Sequence, residues 1–310
     1  MQEHADQRPT ALNIPLPTLG GKQLWTDHRW HMGWRLQQNA LTGHWRVLDR
    51  RNIRRAWGTR RACERILQQQ APSMDLPDKH AIILLHGLMR SASSMQPLEQ
   101  RLVQERMGTP ILFSYASSRH PVSAHALALR ELVEGLPPDC RLSFVGHSLG
   151  NIVVRHAIGD WQKQAARPIL NRIENVVMLG PPNQGAVIAR KLSRIGIFST
   201  IVGRSGIELG PAWEEFAEHL AIPPCRFGII AGNVEERLPK NPLLPSHGDL
   251  IVTVDEARLE GAADFMEVPC MHTWLMNDAA VQDAVVQFLR LGKFSAGGPT
   301  TPEEHGPEDE

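Results

Sequence analysis

RLSFVGHSLGNIVVRHA, residues 141–157, is the most informative stretch of the sequence. Its first apolar run is typical of a buried parallel strand, and a second apolar run with helical spacing follows Ser148. Ser148 lies between Gly146 and Gly150, in the pattern Gly-x-Ser-x-Gly. In this pattern the serine occupies a sharp turn between a strand and a helix, where side chains at the two glycine positions would collide with their neighbours. The stretch therefore predicts Ser148 as a nucleophile at a strand-to-helix turn.

Strand-like and helix-like segments alternate on both sides of this turn. The strand-like runs are AIILLHG (81–87), PILFSYAS (110–117), RLSFVG (141–146), NVVMLGPP (175–182), RFGIIAG (226–232) and ADFMEVPC (263–270). Helical patterns lie between them and after the last one. Such alternation predicts an α/β fold with a mostly parallel sheet and helices on both faces.

Three segments are predicted along the 310 residues. Residues 76–294 form the α/β domain, in which 182–222 break the alternation with glycines and apolar clusters and are predicted to be a cap or lid. Residues 295–310 are low in apolar content and acidic at their end, which predicts a disordered tail. Residues 1–75 form a basic N-terminal extension, predicted to be helical from Leu48 to Gln70.

The basic character is concentrated in residues 22–65, with eleven Lys/Arg against three Asp/Glu, and five of the eight tryptophans lie in 22–70. Three interpretations stay open for residues 22–70. In the first, the segment packs on the α/β domain with its arginines in solvent. In the second, it contacts an anionic membrane surface. In the third, it contacts nucleic acid, which only the charge supports and which we do not expect.

Composition limits the class of protein. The formal net charge is +0, and no apolar run approaches the 18 residues or more of a membrane span. The start of the chain has no secretory pattern, so we predict a cytoplasmic protein, with peripheral membrane contact as the alternative. The four cysteines have no Cys-x-x-Cys spacing, which favours buried thiols. We expect no metal and no cofactor.

A serine nucleophile requires a base, and His272 is the predicted one. It directly follows the last strand-like run, which places it at the carboxyl edge of the sheet, where open α/β folds carry their sites. The other downstream histidines fit less well. His156 is on the helix after the turn and points away, His219 is in the irregular segment, and His305 is in the tail.

Asp249 is the predicted acid that orients the base. It lies in a loop between the strand-like run 226–232 and the apolar run LIVTV. Asp255 follows LIVTV and is the alternative, although it has the pattern of a cap for the next segment. Glu235 and Glu236 are closer to the strand and are weaker candidates.

The developing negative charge of an acyl-transfer reaction requires two N–H donors. Leu149 begins the helix after Ser148, and Leu88 follows His86-Gly87 at the end of the first strand, so their backbone amides are the predicted donors. His86 resembles a base, but a histidine just before this turn is expected to brace the loop.

Five motifs together resemble those of the α/β-hydrolase superfamily, on its bacterial lipase and esterase branch. They are LLHGL, GHSLG, MLGPPNQGA, GDLIVTVDEA and MHT. The resemblance covers about residues 80–292. It implies a six-stranded, mostly parallel core, a triad of Ser148, Asp249 and His272, and a cap over the pocket. Asn151 departs from the pattern, because many lipases have a second glycine there. No calcium-site pattern of secreted lipases is recognised, which favours an esterase inside the cell.

The expected function is hydrolysis of carboxylic esters with apolar acyl groups, through an acyl-enzyme on Ser148. The partner is then a small-molecule or lipid ester. A thioesterase, an acyltransferase or an amidase would use the same residues, so these activities stay open. A binding protein on a degenerate hydrolase scaffold is disfavoured, because competent residues occupy every position of the triad.

Overall fold

The computed structural model describes residues 16–17, 23–185, 213–234 and 248–294. Two sheets organise this part of the chain. The first is antiparallel and has the strand order β1-β5-β4-β3-β2. Its strands are β1 (Leu16–Pro17), β2 (Trp25–His31), β3 (Trp34–Asn39), β4 (Trp45–Leu48) and β5 (Ile53–Gly58), and α1 (Arg60–Gln70) follows.

The prediction of a helical N-terminal extension is therefore wrong for most of its length. The helix predicted from Leu48 begins only at Arg60, after the strand β5 and after Thr59, whose Oγ1 caps the helix by accepting the N–H of Ala62. The apolar face of this sheet includes Leu36 and Val47 and packs against α1 in a small core of its own.

The second sheet has six parallel strands in the order β11-β10-β9-β8-β6-β7. Its strands are β6 (His80–Leu85), β7 (Thr109–Phe113), β8 (Arg141–His147), β9 (Ile173–Leu179), β10 (Arg226–Gly232) and β11 (Asp264–Val268). The accompanying helices are α2 (Gln96–Gln104), α3 (Val122–Glu134), α4 (Leu149–Lys163), α5 (Arg167–Leu170), α6 (Trp213–Ala217), α7 (Val254–Ala257) and α8 (Ala279–Leu291).

Helices cover both faces of the parallel sheet, as predicted. Ile83 and Leu85 of β6 point into a core with α3 and α4, whereas Ile82 and Leu84 point into a second core with α2 and α8. This alternation is the two-residue period of a strand that is buried on both faces. The α/β-hydrolase fold that the sequence predicts is thus present.

The two sheets meet at β7, an edge strand of the parallel sheet. The backbone N–H of Asp27 in β2 donates to the carbonyl of Ser114 at 2.8 Å, and Ser114 N–H donates to Asp27 Oδ2 at 2.7 Å. Asp27 is buried, and β2 also packs against α3. The N-terminal sheet is therefore hydrogen-bonded to the α/β domain just after β7.

Several predicted features lie wholly or partly outside the described residues. Of the predicted cap at 182–222, the structure describes 182–185 and 213–222, and the apolar run 195–203 falls outside. The tail 295–310, the alternative acids Glu235 and Glu236, and His305 also fall outside. Within the described ranges, helices long and apolar enough to cross a membrane are absent.

Candidate active site

Ser148 lies between the end of β8 and the first residue of α4, with φ of +52° and ψ of −120°. A positive φ is uncommon for a residue with a side chain and marks a strained turn. The serine N–H donates to the carbonyl of Leu179 in β9 at 2.9 Å, which fixes the turn on the neighbouring strand. Ser148 thus occupies the strand-to-helix turn that its motif predicts.

Close packing explains the glycine after the serine. A Cβ on Gly150 would lie 2.6 Å from the carbonyl oxygen of Leu85 in β6. Asn151, which departs from the family pattern, fills the space beside the other motif glycine, Gly146. Its Nδ2 donates to the carbonyls of Ser148 at 3.1 Å and Leu179 at 3.2 Å, so this residue supports the turn.

The structure brings His272 and Asp249 together. His272 Nδ1 lies 2.7 Å from Asp249 Oδ2, and the His272 N–H donates to the Asp249 carbonyl at 3.1 Å. The other carboxylate oxygen, Oδ1, accepts the backbone N–H groups of Ile251 and Val252 at 3.1 and 2.8 Å. Both side chains are buried. Because a carboxylate accepts hydrogen bonds, Nδ1 carries the histidine hydrogen and Nε2 presents its lone pair.

His147 connects this pair to the serine turn. Its Nε2 lies 2.9 Å from the His272 carbonyl, and the two rings are 4.9 Å apart. Burial holds the pKa of His147 well below its usual value, so the ring is neutral and its Nε2–H donates to that carbonyl. The role of His147 was not predicted from the sequence, although it is the second residue of the serine motif.

The alternative acid and base lie in other surroundings. Asp255 is on the short helix α7 with its side chain largely exposed, and its Oδ1 lies 3.8 Å from Arg258 Nε. Thr253, rather than Asp255, caps this helix. His156 is on α4 with Nδ1 3.4 Å from Asp160 Oδ2, and its ring stacks on that of His219.

The loop after β6 contains the predicted donor Leu88 and approaches the serine turn. A Cβ on Gly87 would lie 2.9 Å from His147 Nδ1 and 3.2 Å from Ser148 Cβ. The next amide, of Met89, donates to Ser117 Oγ at 3.0 Å, so Met89 N–H is already used inside the loop. Leu149, the other predicted donor, is the first residue of α4.

His86 is buried under this loop. Its Nδ1 lies 2.9 Å from the Gly87 carbonyl, its ring stacks on Tyr115 at 4.2 Å, and the Tyr115 hydroxyl donates to the His86 carbonyl. Burial lowers the pKa of His86 to about 4, so the ring is neutral near pH 7. These contacts agree with the predicted role of His86 in bracing the loop. Tyr115, which was not predicted from the sequence, supports His86 from below.

Across the described ranges, clusters of three or more His, Cys, Asp or Glu side chains arranged to bind a metal ion are absent. The site presents the hydroxyl of Ser148 and the Asp249–His272 pair, with the backbone amides at the start of α4 and in the loop after β6. A hydroxyl, an oriented imidazole and such amides are the parts required for acyl transfer.

Comparison with known proteins agrees with this description. Residues 77–181 match the family model described as "Putative serine esterase (DUF676)". None of the curated proteins matches the chain. The mature form of lipase BlEst2 from Bacillus licheniformis has a similar structure, with a TM-score of 0.54 and 17% identity over 72% of this chain and 94% of that one. Phospholipase PlaB from Legionella pneumophila has a TM-score of 0.53 and 17% identity over 69% of this chain and 59% of that one.

At 17% identity the two solved structures show similarity of fold alone. The family match covers the serine motif and the loop after β6. The sheet order, the serine turn and the family match lead to one conclusion. The chain has the α/β-hydrolase fold, and its residues 77–181 match a family of putative serine esterases, which supports an ester hydrolase.

Proposed function

We propose that the protein cleaves carboxylic esters of apolar acyl groups through an acyl-enzyme on Ser148. His272 is the general base, and Asp249 orients it. The observation that carries this proposal is the buried hydrogen bond of 2.7 Å between His272 Nδ1 and Asp249 Oδ2. His147, the neighbour of Ser148, is hydrogen-bonded to the His272 carbonyl and so connects this pair to the serine turn.

In this mechanism Ser148 Oγ attacks the ester carbonyl carbon while His272 Nε2 takes the hydroxyl proton. The carbonyl oxygen becomes an oxyanion and receives the N–H groups of Leu88 and Leu149; losing one such donor costs about 3 kcal/mol of transition-state stabilisation. The intermediate collapses, the C–O bond to the alcohol breaks, and the alcohol leaves with the proton from His272. Water, deprotonated by His272, then attacks the acyl-enzyme and releases the acid and Ser148.

Exposed apolar side chains support an apolar acyl group. Met89, in the loop after β6, is 54% exposed, and Trp274, in the short helix that begins at His272, is 53% exposed. Met271 precedes the base and is also exposed. Large apolar side chains exposed together on two loops beside a reactive centre suit contact with an acyl chain.

Labelling with a fluorophosphonate tests the nucleophile. We expect the wild type to label and Ser148→Ala to lose labelling, because the reagent bonds to an activated serine oxygen. His272→Ala should also lose labelling, whereas the control His156→Ala should keep it. If Ser148→Ala labels as well as the wild type, the proposal is wrong.

Hydrolysis of p-nitrophenyl esters of increasing chain length tests the acyl preference. We expect kcat/KM to rise from acetate to medium chains, since each buried CH₂ contributes about 0.8 kcal/mol. Activity confined to acetate would contradict the apolar preference but not the nucleophile.

The predicted cytoplasmic location, and its alternative of peripheral contact between residues 22–70 and an anionic membrane, rest on the sequence. Exposed Leu41 and Trp57, with the Arg54 guanidinium 5.5 Å from the Trp57 ring, support the membrane contact. Co-flotation with phosphatidylglycerol vesicles, absent with phosphatidylcholine vesicles, is the expected result.

A further inference from the structure

A cavity of about 590 Å³ lies between the N-terminal sheet and the edge of the parallel sheet. One wall is formed by β3, β4 and the turn after β4, including Arg35, Arg46 and Arg50. The other wall includes Ser91, Glu99 of α2 and part of β7. We call this cavity the arginine cleft. Its volume is within the range of small-molecule binding sites.

The lining of the arginine cleft is cationic, with three arginines against the single carboxylate of Glu99. Arg46 is only 5% exposed. Burial first, and then the charge of Arg35, lower the pKa of Arg46 to about 10, against the opposing effect of Asp27. Arg35 and Arg46 thus bring two positive charges to one wall of a partly desolvated cavity, and such a lining favours an anion.

Hydrogen bonds within the protein orient each of these arginines. Arg46 Nε donates to Gln37 Oε1 at 2.8 Å, and the Arg46 guanidinium also stacks over Trp25. Arg50 Nε donates to the Met32 carbonyl at 2.7 Å. Arg35 is oriented in the same way, with Nη2 donating to Asn52 Oδ1. Oriented guanidinium groups lose little entropy on binding, and their planar N–H pairs match phosphate oxygens.

The arginine cleft continues toward the active site. A second cavity of about 450 Å³ is lined by Met89 and Arg90, and it shares Ser91 and Ser93 with the arginine cleft. Met89 directly follows Leu88, the predicted oxyanion donor. We propose that the arginine cleft binds a phosphate group through Arg35, Arg46 and Arg50. The phosphate is either part of the ester substrate, which rests on the function proposed above, or a free phosphate ion.

Titration calorimetry with inorganic phosphate at fixed ionic strength tests the site. We expect the wild type to bind, and Arg50→Gln and Arg35→Gln to bind about tenfold more weakly, the usual effect of losing one hydrogen bond to a charged group. Glu99→Gln should bind more tightly, because it removes the only carboxylate of the lining. Arg51→Gln is the matched control, since Arg51 is exposed on the same turn and does not line the cavity.

Ser148→Ala separates this proposal from the proposed chemistry, because it loses ester hydrolysis but should still bind phosphate with the wild-type affinity. Hydrolysis of dihexanoyl phosphatidic acid and of dihexanoylglycerol then identifies the source of the phosphate. If the phosphate belongs to the substrate, Arg50→Gln lowers the ratio of the two kcat/KM values about tenfold. If free phosphate is the ligand, the ratio is unchanged while phosphate binding still weakens in Arg50→Gln. Wild type that binds no phosphate, or arginine variants that bind it like the wild type, would overturn the site.

Discussion

His272 Nδ1 lies 2.7 Å from Asp249 Oδ2, and the backbone N–H of His272 donates to the backbone carbonyl of the same aspartate. The two loops after β10 and β11 are therefore joined by both side chain and backbone. Oδ1 of Asp249 is occupied by two backbone amides, so the carboxylate cannot rotate without losing them. This arrangement fixes the imidazole in the tautomer whose Nε2 accepts a proton.

Asp249→Asn should therefore lower kcat by roughly 10⁴. The amide oxygen can still accept from the amides of Ile251 and Val252, which turns its NH₂ group toward His272 Nδ1. The ring would then take the other tautomer, with its hydrogen on Nε2, and could not accept the serine proton. The measurement is kcat with p-nitrophenyl butyrate.

Asp255→Asn is the matched control, because Asp255 is exposed on α7. It should keep wild-type kcat. Asp249→Asn activity within tenfold of the wild type, or a large loss in Asp255→Asn, would move the orienting acid away from Asp249.

Gly180 lies against the ring of His272, the proposed base, and has φ of +52°. In Gly180→Ala the new Cβ would lie 3.0 Å from His272 Nδ1 and 2.9 Å from Leu275 Cδ1. We expect His272 to shift, and kcat to fall by at least about 100-fold, since small misplacements of a catalytic group have effects of this size. Kinetics with p-nitrophenyl butyrate and a thermal melt of the same sample measure both consequences.

Gly43→Ala separates the steric effect from the backbone effect. Gly43 has φ of +70° in the turn between β3 and β4, and its new Cβ would have no neighbour within 4 Å. Both variants incur the cost of about 1 kcal/mol for a positive φ, but only Gly180→Ala should lose kcat. Equal activity in the two variants would show that Gly180 does not position His272.

Acid should destabilise the protein through its buried histidines. Burial lowers the pKa of His86 to about 4 and that of His125 to about 3, whereas both titrate near 6.5 in the unfolded chain. Between pH 6.5 and about 4 the unfolded chain therefore binds protons that the folded chain does not, and the free energy of unfolding decreases as pH falls. At pH 5.5 each histidine contributes a loss of about 1 kcal/mol.

Urea unfolding at pH 7.5 and 5.5 measures this loss, and His125→Phe should reduce the difference between the two pH values by about 1 kcal/mol. The effect of the substitution on packing is the same at both pH values, so it cancels when the change in the free energy of unfolding between pH 7.5 and 5.5 is compared in variant and wild type. A difference that is the same in the variant and the wild type would mean that His125 does not take part in acid destabilisation.

The parts of the molecule that sequence patterns predicted are those that local geometry dictates. Gly150 must be glycine because a strand carbonyl lies where its Cβ would be, so the motif records the turn directly. Asp249 and His272 were selected by their positions after strands, and the structure places them side by side. His147 and Tyr115 were missed because their roles depend on contacts between distant loops.

The N-terminal sheet was missed for a different reason. Ile53, Ala56 and Trp57 share a helical face in a sequence plot, but in β5 only Ala56 is buried while Trp57 is exposed. Over six residues a period of 2 and a period of 3.6 are hard to distinguish when arginines fill the other positions. The arginine cleft, formed between this sheet and α2, was therefore not predictable either.

Asp27 should couple the two sheets energetically. Its Oδ2 accepts the N–H of Ser114, and its Oδ1 accepts Gln37 Nε2–H at 2.7 Å. Asp27→Ala leaves the buried Gln37 donor and the partly buried Ser114 N–H without their acceptor, and we expect the free energy of unfolding to fall by about 2 kcal/mol or more. Asp75→Ala, in the exposed linker before β6, is the control and should change it by less than about 0.5 kcal/mol. Urea unfolding measures both, and equal stability of the two variants would show that the contact at Ser114 does not stabilise the fold.

Asp27→Ala should also increase trypsin cleavage in the arginine-rich residues 50–61, because these residues are part of the sheet that Asp27 joins to β7.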